Sequence, residues 1–593
     1  MSRLTSISSY VRAVPRILTV QFITDLLFAL CAFGLQLLAG WALASQGRVA
    51  VTTGDFMFLF TSWQGILLIV LAFLALYLSV AIDVCSMVAF AGNWLRGRSD
   101  SAFVALRDGL RGSLRFLCPE GALVVLYMAL LAPIAGSQLA IPLTKKWYVP
   151  SFITSVIYET TTYLVPYVVL IAAFFAVGFF GVFVIHGVVL DDLSVRESAR
   201  RSITIVRQHW FDYLLKMLGF SIALSVGFAL VTAVIQAFTA LGLFGLYQMG
   251  YQNVRFFEIF AVLSFLATSL VLVSFGSSLT TVKMTERYLD YTDGKPDQEV
   301  FHPHRYHPLL VVAALVIIMM IAVISYAGSQ EFDRLFPAQS EVRVIAHRAC
   351  GVEGVENSAA GLDVAAGLGA WGAEIDIQRT ADGAYVVNHD DTFKRVAGDP
   401  RSPWQMTLAE VRALTIANTA DPSAPGEPVP TYEDMLEGAR DNVILFVELK
   451  GKTADRQMAD DAVRIAKEHD MLDQCVFISL KYDLIDYLEK NYPDVKTGFL
   501  AFASYGNTAA LNTDYLALEE EAMSSATVQA IHDQGKKALV WTINDRSKQE
   551  HFLMTNVDGI ITDQVVQAEQ IREELAQRDD VKRIIDKCFK LAE

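Results

Sequence analysis

Seven stretches of this 593-residue chain, near residues 17–44, 57–92, 119–140, 162–190, 211–241, 256–281 and 308–327, stay apolar long enough to cross a bilayer. A helical crossing needs about 20 such residues. Several stretches exceed that length, which leaves room for tilted helices or for a run split into two segments. The apolar text stops near Gly328, and the remainder of the chain is charged, rich in turns and globular in composition. The whole chain is 53% hydrophobic with a mean hydropathy of +0.38, too apolar for a soluble protein of this size. Residues 1–330 are therefore expected to form a multi-pass α-helical membrane domain and residues 341–575 a globular domain, with 576–593 as a helical tail.

Orientation is set by the basic residues of the short loops. Arg3, Arg12 and Arg16 precede the first span. Arg96, Arg98, Arg107, Arg111 and Arg115 occupy the second loop, and Arg196, Arg200, Arg201 and Arg207 the fourth. The alternate loops hold only Arg48, then Lys145 and Lys146, then Arg255. This pattern puts the N-terminus in the cytoplasm, and an odd number of spans carries the second half across the cell membrane. The first apolar stretch is long and lacks a small-residue cleavage site, so it is expected to serve as its own targeting signal. The two basic loops, "RSDSAFVALRDGLRGSLRF" and "RESARRSITIVRQHWF", resemble each other and read as amphipathic helices at the cytoplasmic surface. Asp25 and Asp83 interrupt apolar runs, where a charge is costly. A carboxylate that fixes helix packing is the simpler reading, and a polar cavity for a headgroup or solute is the functional one.

A formal charge of −15 argues against nucleic acid as a partner, because such a partner needs a basic face. The six cysteines, Cys31, Cys85, Cys118, Cys350, Cys475 and Cys588, stand singly. Neither a disulfide framework nor a structural zinc site has the spacing it requires.

From Val342 onward, short β-branched or apolar runs alternate with helical text: "VRVIAH", "AEIDIQ", "VILFVELK", "CVFISL", "KTGFLA", "YLALEE", "KALVWT" and "GIITD". That rhythm belongs to parallel βα units, and eight of them match a (β/α)8 TIM barrel, whose active residues lie at the C-terminal ends of the strands. An open doubly wound sheet is the structural alternative, although no glycine-rich phosphate loop supports a nucleotide role. His347 and Arg348 end the first run. Glu374 and Asp376 are two apart in the second and leave the strand on one face, and Glu448 and Lys450 repeat that spacing in the third. His389 follows "GAYVVN", which reads as a hairpin inserted after the second strand. Carboxylates crowded on one strand face repel unless a cation lies between them, and a hard divalent metal with oxygen ligands answers that need. Glu374, Asp376 and Glu448 are the candidate ligands.

At these residues the sequence resembles the glycerophosphodiester phosphodiesterase family. The matching stretches are "HRACGVEGVEN", "EIDIQRTADGAYVVNHDDTFKR", "VELK" and "VWTIND" with "VDGIITD", in family order over residues 342 to about 570. The first half also resembles the membrane domain that precedes the barrel in some members. Departures are Ala349 for the usual glycine, Val355 for proline, Ser358 for threonine, and Leu480 where the family often has phenylalanine. All charged positions are retained, so the departures bear on pocket shape more than on the reaction.

The resemblance implies a metal-dependent phosphoric diester hydrolase that uses Ca2+ or Mg2+. His347 and His389 would exchange protons, while Arg348 and Lys450 would stabilise the phosphate oxygens. One imidazole would deprotonate the neighbouring glycerol hydroxyl, which attacks phosphorus, and the other would protonate the leaving alkoxide. Water would then open the cyclic phosphate. Asn357 and Glu356 would shape the pocket, with Glu356 a possible further ligand. Trp541 would pack on the glycerol carbons or belong to the barrel core, and Cys350 is a packing residue. The expected substrates contain glycerol phosphate: lipid headgroups, lysolipids or glycerol-phosphate polymers, with membrane lipids as the surroundings. Two rivals are a phospholipase of the same barrel type that stops at the cyclic phosphate, and a membrane transporter or scaffold that binds phosphodiesters without turnover. The sequence carries no signal for an oligomeric state.

Overall fold

The computed structural model describes residues 7–47, 50–52, 57–98, 101–134, 157–158, 160–293, 308–336, 340–418, 421, 423–502 and 504–590. Arg3, Arg48, Lys145 and Lys146 lie outside the described residues. The chain divides into two compact units, one of residues 1–39 and 63–332 and one of residues 40–62 and 333–593.

The first unit is helical. Among the described residues, five helices are long and apolar enough to cross a membrane: Arg16–Ala44, Trp63–Leu95, Thr161–Leu190, Val195–Gln248 and Val254–Thr292. The two remaining apolar stretches form the helices Pro119–Ile134 and Pro308–Gln330. Their outward faces are crowded with exposed large apolar side chains such as Leu215, Leu230, Phe238, Val312 and Met319, as lipid-facing helices require. The fourth loop does not form a separate surface helix. Its basic segment is the first part of the 54-residue helix Val195–Gln248, started by a capping box between Ser194 and Glu197. Good helix formers and an absence of proline let the amphipathic turn run straight into the apolar one. The second loop does form its own helix, Ala102–Leu114. Asp83 accepts a hydrogen bond from Thr24 at 2.7 Å, tying two spans together as the packing reading anticipates.

The second unit is a closed barrel of eight parallel strands: β1 (Arg343–Ala346), β2 (Gly372–Arg379), β3 (Ile444–Leu449), β4 (Cys475–Ser479), β5 (Lys496–Ala501), β6 (Tyr515–Glu519), β7 (Lys537–Trp541) and β8 (Gly559–Thr562). Each pairs with the next, and β8 closes on β1 with Ile560 opposite Val344. Side chains alternate between two apolar clusters, as a period of two demands. Ile345, Phe446, Val476, Ile478, Leu500, Ala517, Leu539 and Ile561 fill the barrel interior. Their neighbours, including Ala373, Ile375, Val447, Phe477 and Leu518, pack outward against the helices. Following the inward row toward the strand C-termini brings the polar residues into one mouth: His347, Glu374, Asp376, Glu448, Lys450 and Asp563. Tyr385–Val387 pairs antiparallel with the end of β2, which is the hairpin expected before His389. Residues 40–62 group with the barrel, since Ala50–Thr52 pairs antiparallel with Ser504–Gly506 in the loop after β5.

Candidate active site

Three carboxylates define the floor of the mouth. One ligand oxygen from each of Glu374, Asp376 and Glu448 lies within 4.8 Å of the others, and the residues are 3%, 0% and 6% exposed. Strand alternation aims them inward, and the β2–β3 register sets Asp376 opposite Glu448. Lys450 is the cation among them, with Nζ 3.0 Å from Asp376 Oδ1 and 2.8 Å from Glu448 Oε2. One lysine does not balance three buried carboxylates. Burial and the charges of Asp376 and Glu448 hold Glu374 well above the carboxylate range, while burial and Asp376 push Glu448 up to about 7 against the pull of Lys450. Asp376 is also opposed by burial, yet Lys450, His389, Arg348 and a hydrogen bond from Asn357 outweigh it and keep it ionised. Glu374 Oε1 is buried without a hydrogen-bond partner. An oxygen-rich, negatively charged, incompletely bonded pocket fits a hard divalent cation.

Above this floor the β1 end turns sharply. Arg348, Ala349 and Cys350 all take the left-handed conformation, at φ 50°, 52° and 70°, which costs L-residues on the order of 1–2 kcal/mol each. The turn is held by Arg348 N–H donating to Glu374 Oε2 at 2.9 Å and by Asn357 N–H donating to the Arg348 carbonyl at 2.7 Å. Ala349 therefore does without the glycine that this backbone favours. Asn357 Nδ2 donates to Asp376 Oδ2 at 2.9 Å, so it orients a carboxylate of the floor.

Both histidines carry a carboxylate on Nδ1. His347 Nδ1 is 2.7 Å from Asp563 Oδ1, and its Nε2 points into the mouth, 3.9 Å from Glu374 Oε2. His389 Nδ1 is 2.9 Å from Asp390 Oδ1. A carboxylate on one ring nitrogen fixes the tautomer and leaves the other nitrogen for proton exchange. Asp563 is itself oriented: Asn544 Nδ2 donates to its Oδ2 at 2.6 Å, and its N–H donates to Asn544 Oδ1 at 2.8 Å. Asp390 is held by Arg395, which also forks onto Glu356 at 2.6 and 2.7 Å. Glu356 thus lies in an arginine clamp, outside the group of three carboxylates. Burial lowers the His389 pKa despite Asp390 and Asp376.

At the end of β7, the Trp541 indole N–H donates to the Ala517 carbonyl at 2.8 Å, and its ring packs partly against the barrel interior. Cys350 is fully buried and donates to Glu353 at 3.3 Å. Burial pushes its thiol pKa far up, which suits packing and not nucleophilic attack. Sequence reasoning missed Asp563, Asp390, Arg395 and Asn544 as participants. The stretches "HDD" and "VWTIND" with "GIITD" contain three of them, but nothing local says that an aspartate 216 positions away meets His347.

Both halves of the chain are similar to known proteins. Residues 347–567 match the glycerophosphoryl diester phosphodiesterase family, and residues 6–327 match the membrane domain of glycerophosphoryl diester phosphodiesterase. A glycerophosphodiester phosphodiesterase of Caldanaerobacter subterraneus is 28% identical over 231 residues, covering 37% of this chain and 93% of the relative. One from Bacillus altitudinis is 23% identical over 242 residues, covering 39% and 99%. Among solved structures, a glycerophosphodiester phosphodiesterase of Parabacteroides distasonis shares 25% identity over 40% of this chain and 100% of that one, with a TM-score of 0.35. An Oleispira antarctica phosphodiesterase, solved with the product sn-glycerol-3-phosphate, shares 24% identity over 39% and 96%, with a TM-score of 0.36. With both halves matched in one chain, this protein belongs to the glycerophosphodiester phosphodiesterase family, as a phosphoric diester hydrolase that carries the family's membrane domain ahead of its barrel.

Proposed function

We propose that the chain cleaves glycerol-phosphate diesters by metal-dependent acid–base catalysis between His347 and His389, on the outer side of the cell membrane. The observation that carries this reading is the buried carboxylate group of Glu374, Asp376 and Glu448, with both imidazoles beside it. These three residues would hold Ca2+ or Mg2+, which when bound would supply positive charge to the phosphate oxygens. Arg348 and Lys450 add fixed cationic donors to the same oxygens as negative charge grows in attack. One imidazole takes the proton of the adjacent glycerol hydroxyl as its oxygen bonds to phosphorus. The other gives a proton to the departing alkoxide as the ester bond breaks. Water then attacks the cyclic phosphate with the roles reversed, leaving glycerol phosphate. Asp563 and Asp390 keep each ring aligned through both steps. Asn357 steadies Asp376, and Trp541 offers an apolar wall to the glycerol carbons.

The orientation rests on which loops meet. Arg96 pairs with Asp191 at 3.2 Å and with Asp293 at 2.9 Å, joining the loops that come after three different spans. Asn253 donates to Ser329 at 3.0 Å, joining the start of the helix Val254–Thr292 to the end of Pro308–Gln330. The arginine-rich loops share the first side, which supports a cytoplasmic assignment. Ala50–Thr52, from the loop after the first span, pairs with the barrel loop 504–506. That pairing supports an even number of crossings between the two, as in the seven-span reading. The domain limits 1–330, 341–575 and 576–593 remain our division of the chain. Attachment to seven spans favours a substrate held in the membrane, such as a lysolipid, over a free headgroup diester.

Hydrolysis by purified full-length protein tests the chemistry, with chelator, with added Ca2+ or Mg2+, and in His347→Ala and Glu374→Ala. Release of glycerol phosphate that needs metal and is lost in both variants is the expected result. Full activity in chelator, or in His347→Ala, refutes the mechanism. Cleavage of glycerophosphocholine without any cleavage of lysolipid or glycerol-phosphate polymer refutes the membrane-held substrate.

A further inference from the structure

Gln378 stands two residues beyond Asp376 on β2, on the same inward face, and is fully buried. Its amide has two N–H bonds, and both are given to backbone. Nε2 donates to the Asn388 carbonyl at 2.8 Å and to the Asp390 carbonyl at 2.7 Å. Those carbonyls belong to the residues before and after His389, so one side chain ties the 388–389 and 390–391 peptides and holds the chain on either side of the imidazole. Asn388 strengthens the hold: its N–H donates to the Asp376 carbonyl at 2.9 Å, and its Nδ2 donates to the Asp390 carbonyl at 2.5 Å. The other end of the Gln378 amide is aimed at the turn after Lys450. Gly451 has φ +72°, which favours glycine, and a Cβ there would lie 2.7 Å from Gln378 Oε1, so a side chain at 451 would also press on the amide.

We propose that Gln378 is a positioning residue for the reaction. It is a strut running from the metal-binding strand to the His389 loop and lying against the Lys450 turn, and it holds His389 at a set distance from the group of carboxylates. A single strand then delivers Glu374 and Asp376 directly and, through Gln378, the orientation of an acid–base group on a separate loop. Buried amides that only fill space do not need both donors on the carbonyls of the residues before and after a catalytic side chain. Here the loop has no regular structure between the Tyr385–Val387 strand and Lys394, and this amide is a principal fixed tie.

The inference rests on the reading that His389 exchanges protons, and the test separates the two. Full-length solubilised protein is assayed as wild type, Gln378→Met, His389→Ala and the double variant, with glycerophosphocholine and lysophosphatidylcholine as substrates. Methionine keeps the length and bulk of the side chain and removes both donors. A misplacement of about 1 Å can cost on the order of 100-fold in rate, so kcat is expected to fall about 10- to 100-fold. The KM and the Ca2+ or Mg2+ concentration for half activation should stay within about threefold of wild type, because loss of an arrangement that matters only in the transition state lowers kcat and leaves binding alone. In the His389→Ala background, Gln378→Met should cost less than about twofold more. An unchanged kcat, a parallel rise in the metal requirement, or losses that multiply in the double variant would each overturn the proposal. If Gln378→Met does not give a cooperative melt, Gln378→Glu, which keeps the shape and lacks the paired donors, carries the same cycle. Wild-type activity in His389→Ala alone would instead sink the acid–base reading.

Discussion

Replacing Asp563 by asparagine removes one charge and almost no volume, at a group 21% exposed and 2.7 Å from His347 Nδ1. Burial opposes the Asp563 charge, but His347, Asn544 and Arg348 together bring its pKa down to about 2. A carboxyl whose pKa is lowered by folding stabilises the native state above its unfolded value of about 3.9 and loses that effect as the pH falls toward 2. Across any practical assay range Asp563 is therefore ionised, and pH alone does not mimic its loss. Asparagine at 563 keeps a partner for Asn544 but offers His347 either a neutral acceptor or an N–H that forces the other tautomer. A hydrogen bond to a charged group contributes about 1.5–3 kcal/mol, which corresponds to about 10- to 150-fold in rate. Steady-state hydrolysis of glycerophosphocholine by the full-length protein is expected to show a drop of that size in kcat/KM. Fold and metal requirement should be retained, because Asp563 touches neither the barrel interior nor the three metal-site carboxylates. A drop of less than about threefold would refute the view that this carboxylate orients and supports His347 in the transition state.

Lys450→Met removes the cation between Asp376 and Glu448 and should destabilise the metal-free protein by about 3–5 kcal/mol, the usual effect of stripping one partner from a buried pair. Added Ca2+ should restore more melting temperature to this variant than to wild type, and equal shifts would count against a shared site. Because Glu448 is pushed up to about 7 by burial and Asp376, its proton must leave when the cation binds. With Glu374 also held well above the carboxylate range, apparent metal affinity should therefore fall at least about tenfold per unit as the pH drops below 7, and a flat affinity in calorimetry between pH 5.5 and 8 would contradict this. Phe446 is fully buried inside the barrel between Trp371 and Tyr515, with ring centroids 5.8 and 5.7 Å away. Phe446→Ala should cost about 3–5 kcal/mol through the cavity left behind, read as a lowered barrel melting temperature; an unchanged transition would mean the interior can collapse around it.

Much of this organisation is written in local pattern. Apolar runs of bilayer length mark the membrane half, because hydrocarbon tolerates no other composition, and a period of two places Glu374 with Asp376 and Glu448 with Lys450 on shared strand faces. The eight runs ending in polar residues mark the barrel and its mouth for the same reason. Local pattern was silent wherever the deciding contact crosses the chain. Closing β8 onto β1 is what brings Asp563 to His347, and Arg395 could not be told from any surface arginine until the His389 loop folded back onto Glu356. Gln378 reads as one more strand residue until its two donors are seen on the carbonyls of Asn388 and Asp390, the neighbours of His389. The strand Ala50–Thr52 sits in a loop with no period long enough to announce it. Chemistry that needs only residue type and spacing is carried by the sequence itself. Orientation, charge balance and the choice of which neutral-looking residues support the catalytic ones depend on three-dimensional closure, because electrostatic and hydrogen-bond energies act over a few ångströms and ignore distance along the chain.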